Sequence, residues 1–112
     1  MQADQMKQRI EKIEECADEA KQCVQQGSVP GELRQQVDSL HQQARQVKQE
    51  AGSQQQMGQD GIKQKVMQME QTGDRAMQAC RSAGSSVDQR TQQAVQRAHD
   101  EISSLKKEMQ MG

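Results

Sequence analysis

Apolar residues recur along this chain in alternating steps of four and three. Met6, Ile10, Ile13, Ala17, Ala20 and Val24 form one such series, and Leu33, Val37, Leu40, Ala44, Val47 and Ala51 a second. Ile62, Val66, Met69, Gly73, Ala76 and Cys80 form a third, and Thr91, Val95, Ala98, Ile102, Leu105 and Met109 a fourth. These steps place each series on one narrow stripe of an α-helix, the a/d stripe of coiled-coil-like packing. No segment sustains period-two alternation, so the pattern predicts four helices and no strand.

The residues between the series are those that stop and start helices. Gly27 and Gly84 stand where the first and third helices should end, because glycine takes the left-handed C′ conformation at little cost. Ser28 with Pro30, and Ser86 with Gln89, suit the starts that follow. Gly52 ends the second helix, residues 52–61 (GSQQQMGQDG) read as a linker, and Asp60 suits the cap of the third helix.

The second half of the chain is a worn copy of the first. At an offset of 56, Lys7, Gln8, Glu14, Asp18, Ala20 and Gln22 match Lys63, Gln64, Glu70, Asp74, Ala76 and Gln78. Past the turn the offset is 58, and Val29, Val37, His41, Lys48 and Glu50 match Val87, Val95, His99, Lys106 and Glu108. The change of two implies a longer turn in the second copy. The chain reads as one helical domain, residues 1–112, built from two tandem hairpins, residues 1–51 and 62–112. A hairpin of this size has one bare stripe per helix and little core of its own. Two hairpins cover each other, and short turns favour antiparallel neighbours. The fold class expected is all-α, an up-down-up-down four-helix bundle.

Composition narrows the picture. The 112 residues hold no Phe, Tyr or Trp, and Leu, Ile and Val supply only 14 of them. Ala, Gly and Thr fill many stripe positions, so the expected core is thin and its stability marginal. Gln occupies 25 positions, giving a helix-compatible, uncharged polar surface. Scarce apolar residues also fit a Gln-rich chain that orders on binding, although the net charge of −1 lacks the charge excess usual in disorder. Residues 1–56 carry nine acids and seven bases, and residues 57–112 seven and eight. This balance offers no basic field for nucleic acid or an anionic membrane. No apolar run approaches a membrane span, and no signal peptide is visible at the N-terminus. Three cysteines without a CxxC pair read as reduced thiols in a cytoplasm.

Several residues invite chemistry. His41 and His99 recur at equivalent places, each one residue past a core d position, and are candidate metal ligands or proton carriers. If g edges met inside each hairpin, His41 would face the third helix and His99 the first, too far apart to share an ion. Asp38 with His41 is half of a carboxylate–histidine metal site, but Gln96 replaces the acid in the second copy. Cys16 and Cys23 are seven residues apart on one helix edge, about 10 Å by helical rise and too far for a disulfide. Cys80 on the stripe reads as a small core filler, and a redox link between Cys23 and Cys80, near one end, is the thiol alternative. Glu11, Glu14, Glu15 and Asp18 make an acidic stripe that reads as a solvated face or as a dock for a basic helix. Ala98-His99 also occurs in histidine phosphotransfer bundles, but Glu101-Ile102-Ser103 stands where Leu-Lys-Gly normally follows.

The chain has no phosphate loop, no nucleophile–base motif and no acid pair suited to a cleft. The reading is a non-enzymatic structural or protein-interaction module with no cofactor and no small-molecule substrate. It binds a protein partner or itself, as a homodimer, through Gln-rich faces bearing Met57, Met67 and Met77. The alternatives are a small metal or thiol-redox module using His41, His99, Asp38, Cys16, Cys23 and Cys80, and a phosphotransfer-like bundle.

Overall fold

The computed structural model describes residues 3–27, 29–52, 59–84 and 87–111. Four helices account for nearly all of them: α1 (Ala3–Gln26), α2 (Gly31–Gly52), α3 (Gln59–Ala83) and α4 (Gln89–Met111). They pack pairwise in a ring: α1 touches α2 and α4, and α3 touches the same two. The protein is therefore all-α. No helix among the described residues is long and apolar enough to cross a membrane.

The stripes meet at the centre of the ring. Ile10, Ile13, Leu33, Leu40, Met69, Ile102 and Leu105 are fully buried, and the smaller stripe residues fill the space between them. Met109 is partly buried against the core, while the side chain of Ala51 lies outside the described residues. Two apolar clusters divide the length of the bundle. One gathers Met6 to Ala17, Leu40 to Val47, Ile62 to Met69 and Ala98 to Leu105. The other gathers Ala20 to Val24, Leu33 and Val37, Ala76 to Cys80, and Val87 to Val95. Burial also spreads one residue beyond the stripe, taking in Cys16, Cys23, Ala79 and Ala94.

The helix ends depart from the sequence reading at the start of α3 and at Gly27. α3 begins at Gln59, so Asp60 and Gly61 lie inside the helix rather than in the expected linker, and Asp60 is not its cap. α2 ends at Gly52 as expected, and linker residues 53–58, Met57 included, lie outside the described residues. Gly84 has a φ of 59°, the left-handed conformation expected of it. Gly27 does not share that conformation; its N–H continues the helical ladder to the Cys23 carbonyl at 3.0 Å. The second copy is longer by two residues before α4: one extends α3 to Ala83, and the other lengthens the turn from residues 27–30 to 84–88.

The starts of α2 and α4 are fixed differently. The Pro30 carbonyl accepts the first helical bond, from Arg34 N at 3.2 Å. Asp88 caps α4: its Oδ1 accepts the Thr91 backbone N–H at 2.7 Å, and its carbonyl accepts Gln92 N at 3.1 Å. Ser28 and Ser86, the expected caps, lie outside the described residues. The Gln92 side chain donates to the carbonyls of Val87 and Gly84, closing the turn over its own helix.

The Thr91 hydroxyl beside the carboxylate, and then the Thr91 backbone N–H, hold the Asp88 carboxyl below its ordinary range. The backbone bond has hydrogen-bonding geometry, whereas the hydroxyl only lies near. A depressed folded pKa adds stability above the unfolded value, about 3.9 for aspartate, and loses it as pH falls through the folded value. Asp88→Ala is expected to melt below the wild type at pH 7, with the gap closing between about pH 5 and pH 2. A gap of the same size at both ends of that range contradicts the cap.

Candidate functional site

The chemistry-bearing side chains lie along the edges of the ring. Cross-helix pairs show which edges meet. In the α1–α2 pair, Glu14 lies 3.4 Å from Lys48, Asp18 3.3 Å from His41, and Lys21 3.3 Å from Asp38. In the α3–α4 pair, Glu70 lies 2.6 Å from Lys106 and accepts a bond from Ser103 Oγ at 3.3 Å, and Asp74 lies 2.5 Å from His99. Glu14, Lys48, Glu70 and Lys106 all sit one residue past a d position. The e edges therefore meet inside each hairpin, and the g edges meet between hairpins.

This corrects the placement of the histidines. His41 faces α1 and not α3; His99 faces α3 and not α1. The a/d pattern fixes the inner stripe of a helix but not the direction in which the ring turns, and the ring turns opposite to the expectation. The two histidines remain on separate hairpins, each against its own aspartate. His41 is buried, while the His99 side chain keeps 22% of its surface. Gly73 lets α3 approach His99 closely: a Cβ there would lie 3.2 Å from the ring Cδ2. The residue that matches Gly73 in the first copy is Ala17.

The other candidates are also held separately. Asp38, half of the imagined metal site, turns to Lys21 on α1. Among the described residues, no group of three or more His, Cys, Asp or Glu could hold a metal ion. Cys16, Cys23 and Cys80 are buried free thiols. Burial pushes the Cys16 and Cys80 thiols above their ordinary range, and Glu101 adds to the shift at Cys16. A raised pKa leaves little thiolate and therefore little nucleophilicity. Cys80 borders a cleft of ≈ 280 Å³ between α3 and α4, with Met77, Arg81, Gly84, Gln92 and Gln96. The acidic stripe of α1 is partly spent inside the molecule: Glu14 on Lys48 and Asp18 on His41, with Glu11 and Glu15 left exposed.

Two features escaped the sequence reading. The first is a charged seam between α1 and α4. Arg9 reaches Glu108 at 2.5 Å and Glu101 at 3.8 Å, Lys12 reaches Glu101 at 3.6 Å, and Arg97 reaches Glu19 at 3.7 Å. Among the described residues no ion pair or side-chain hydrogen bond joins α2 to α3; Gln43 Oε1 and Glu50 Oε2, at g positions of α2, are buried without a partner. The second is the outer face. Gln35, Gln42 and Gln49 on α2, and Gln64, Gln71 and Gln78 on α3, repeat at seven-residue spacing, and all are exposed. The corresponding positions are Gln8, Glu15 and Gln22 on α1, and Gln93, Asp100 and Lys107 on α4. The seven-residue Gln spacing was the signal available in the sequence for this face.

Because His41 is buried beside Asp18, His41→Ala is expected to cost about 1–3 kcal/mol, from lost packing and the cavity left behind. His99→Ala is expected to cost less, because that site is wetter. Urea unfolding of the two variants checks this; a neutral His41→Ala, or a costlier His99→Ala, contradicts it. No family model, curated protein or solved structure matches the chain, so its function is read from its own residues.

Proposed function

We propose that this protein is a non-enzymatic structural or protein-interaction module, an up-down-up-down bundle of duplicated hairpins that contacts a partner through the outer face of α2 and α3. The order of the cross-helix pairs supports the antiparallel arrangement. Moving from Glu14 to Asp18 to Lys21 along α1, the partners run backward from Lys48 to His41 to Asp38. Each apolar cluster likewise joins the early halves of α1 and α3 with the late halves of α2 and α4, or the reverse.

One observation carries the binding role. Two neighbouring helices present only glutamine at their outermost described positions, while the other two carry charge there. Glutamine side chains donate and accept hydrogen bonds without the desolvation cost of an ion. Such a face suits another uncharged polar helix better than a nucleic acid or a charged lipid surface. Met67, the exposed large apolar side chain on α3, adds an adaptable contact at its flank. Most of the acids and both histidines that match between copies support the non-enzymatic reading, because they are engaged with each other: Glu14 with Lys48, Asp18 with His41, and their counterparts. Cys16, Cys23 and Cys80 then serve as small buried fillers, which suits a reducing compartment such as the cytoplasm.

The test compares two variants of the full chain as bait. Gln42→Lys with Gln71→Lys is expected to weaken partner binding or self-association at least about tenfold, roughly 1.4 kcal/mol. Gln8→Lys with Gln93→Lys, on the opposite face, is expected to leave it unchanged. A chain that sediments as a monomer and retains no partner contradicts the proposal, as does an equal effect of both variants.

A further inference from the structure

The seam between the two hairpins has a property that the glutamine face does not share. Each hairpin is tied internally by its own polar pairs, Glu14–Lys48 with Asp18–His41 in one, and Glu70–Lys106 with Asp74–His99 in the other. Among the described residues, the four ion pairs between hairpins all lie on α1 and α4, with bases of α1 facing acids of α4 and Glu19 facing Arg97. The hairpins are therefore two complementary halves joined by residues 53–58. A second copy of the chain carries the same two halves.

We propose that the seam between hairpins is an interaction surface for a second copy of this chain. The α1–α2 hairpin of one chain docks on the α3–α4 hairpin of the other, reciprocally, in an exchanged dimer. The contacts formed are the same as in the closed monomer, so the balance rests on concentration. The covalent link between the halves acts as an effective concentration that a second chain must rival. Such exchange of identical elements is a low-cost route to a dimer.

The charges also select which halves pair. Through the repeat, α3 presents Lys65, Gln68 and Arg75 where α1 presents Arg9, Lys12 and Glu19. Two α3–α4 hairpins would set Arg75 against Arg97. α2 presents Ser39, Gln43 and Glu50 where α4 presents Arg97, Glu101 and Glu108. Two α1–α2 hairpins would keep only a pairing of Arg9 with Glu50. Only unlike hairpins satisfy the whole seam, which favours reciprocal exchange over homotypic pairing.

A charge-swap complementation in full chains tests this. One variant carries Arg9→Glu and Lys12→Glu, and the other carries Glu101→Lys and Glu108→Lys. Each alone sets like charges across its own α1–α4 seam. Each is expected to melt about 5–10 °C below the wild type or to stay unfolded. Unfolded together and refolded as a mixture, the two restore opposite charges only by exchanging hairpins. The expected result is a species of twice the chain mass, seen by native mass spectrometry, that contains one chain of each variant and melts near the wild type. A mixture that keeps only single-chain masses, or stays unfolded, overturns the proposal. The readout does not involve Gln42 or Gln71, so its failure leaves the glutamine-face reading standing, and the converse also holds.

Discussion

The structure depends on the burial of four thin apolar stripes that no single helix or hairpin can cover. The stripes hold few large residues: Ile10 and Ile13 on α1, Leu33 and Leu40 on α2, Met69 on α3, and Ile102 and Leu105 on α4 are the bulk of it. Alanine, glycine and threonine between them bring the backbones close but remove little area from water, at about 25 cal/mol per Å². With no aromatic ring to anchor any one contact, the core holds only when all four stripes close on each other. Flanking residues enter for the same reason: Cys16, Cys23, Ala79 and Ala94 are buried because the helices lie close.

Polar groups refine this arrangement. The ion pairs are mostly half-exposed, and pairs of that kind add at most about 1 kcal/mol each. Their larger effect is on partner choice. Inside each hairpin the e edges carry matched pairs, so a helix meets its sequence neighbour in register. Between hairpins the α1–α4 seam carries opposite charges, and the α2–α3 seam carries none that pair among the described residues. The bundle is thus polarised: one side is fastened by charge, and the other carries glutamine at its outermost described positions.

The stripes were legible in the sequence because alternating steps of four and three have one physical meaning on a helix. Positions such as Ile13, Val37, Val66 and Ala98 were placed in the core from spacing alone, and they are there. The side faced by His41 and His99 was not legible. A stripe names the inner face of each helix but not the direction of the ring, and that direction decides whether an e position meets its own hairpin or the other. A clue was present all the same: Glu14, Asp18, His41 and Lys48 are identical between copies, and they pair with one another. Gly27 and Gly84 looked alike in sequence, yet only Gly84 takes the left-handed conformation, in the longer of the two turns. The cap of α4 was sought at Ser86, whereas Asp88 holds it through the Thr91 N–H.

The dependence of each hairpin on the other can be measured directly. Residues 1–56 alone contain every α1–α2 contact but nothing to cover the stripe that α3 and α4 shield. At micromolar concentration the fragment is expected to be a weakly helical monomer whose circular dichroism changes gradually with temperature, or to gain structure only as it associates. A fragment that remains a single chain and unfolds as sharply as the whole protein would contradict mutual burial as the basis of the fold.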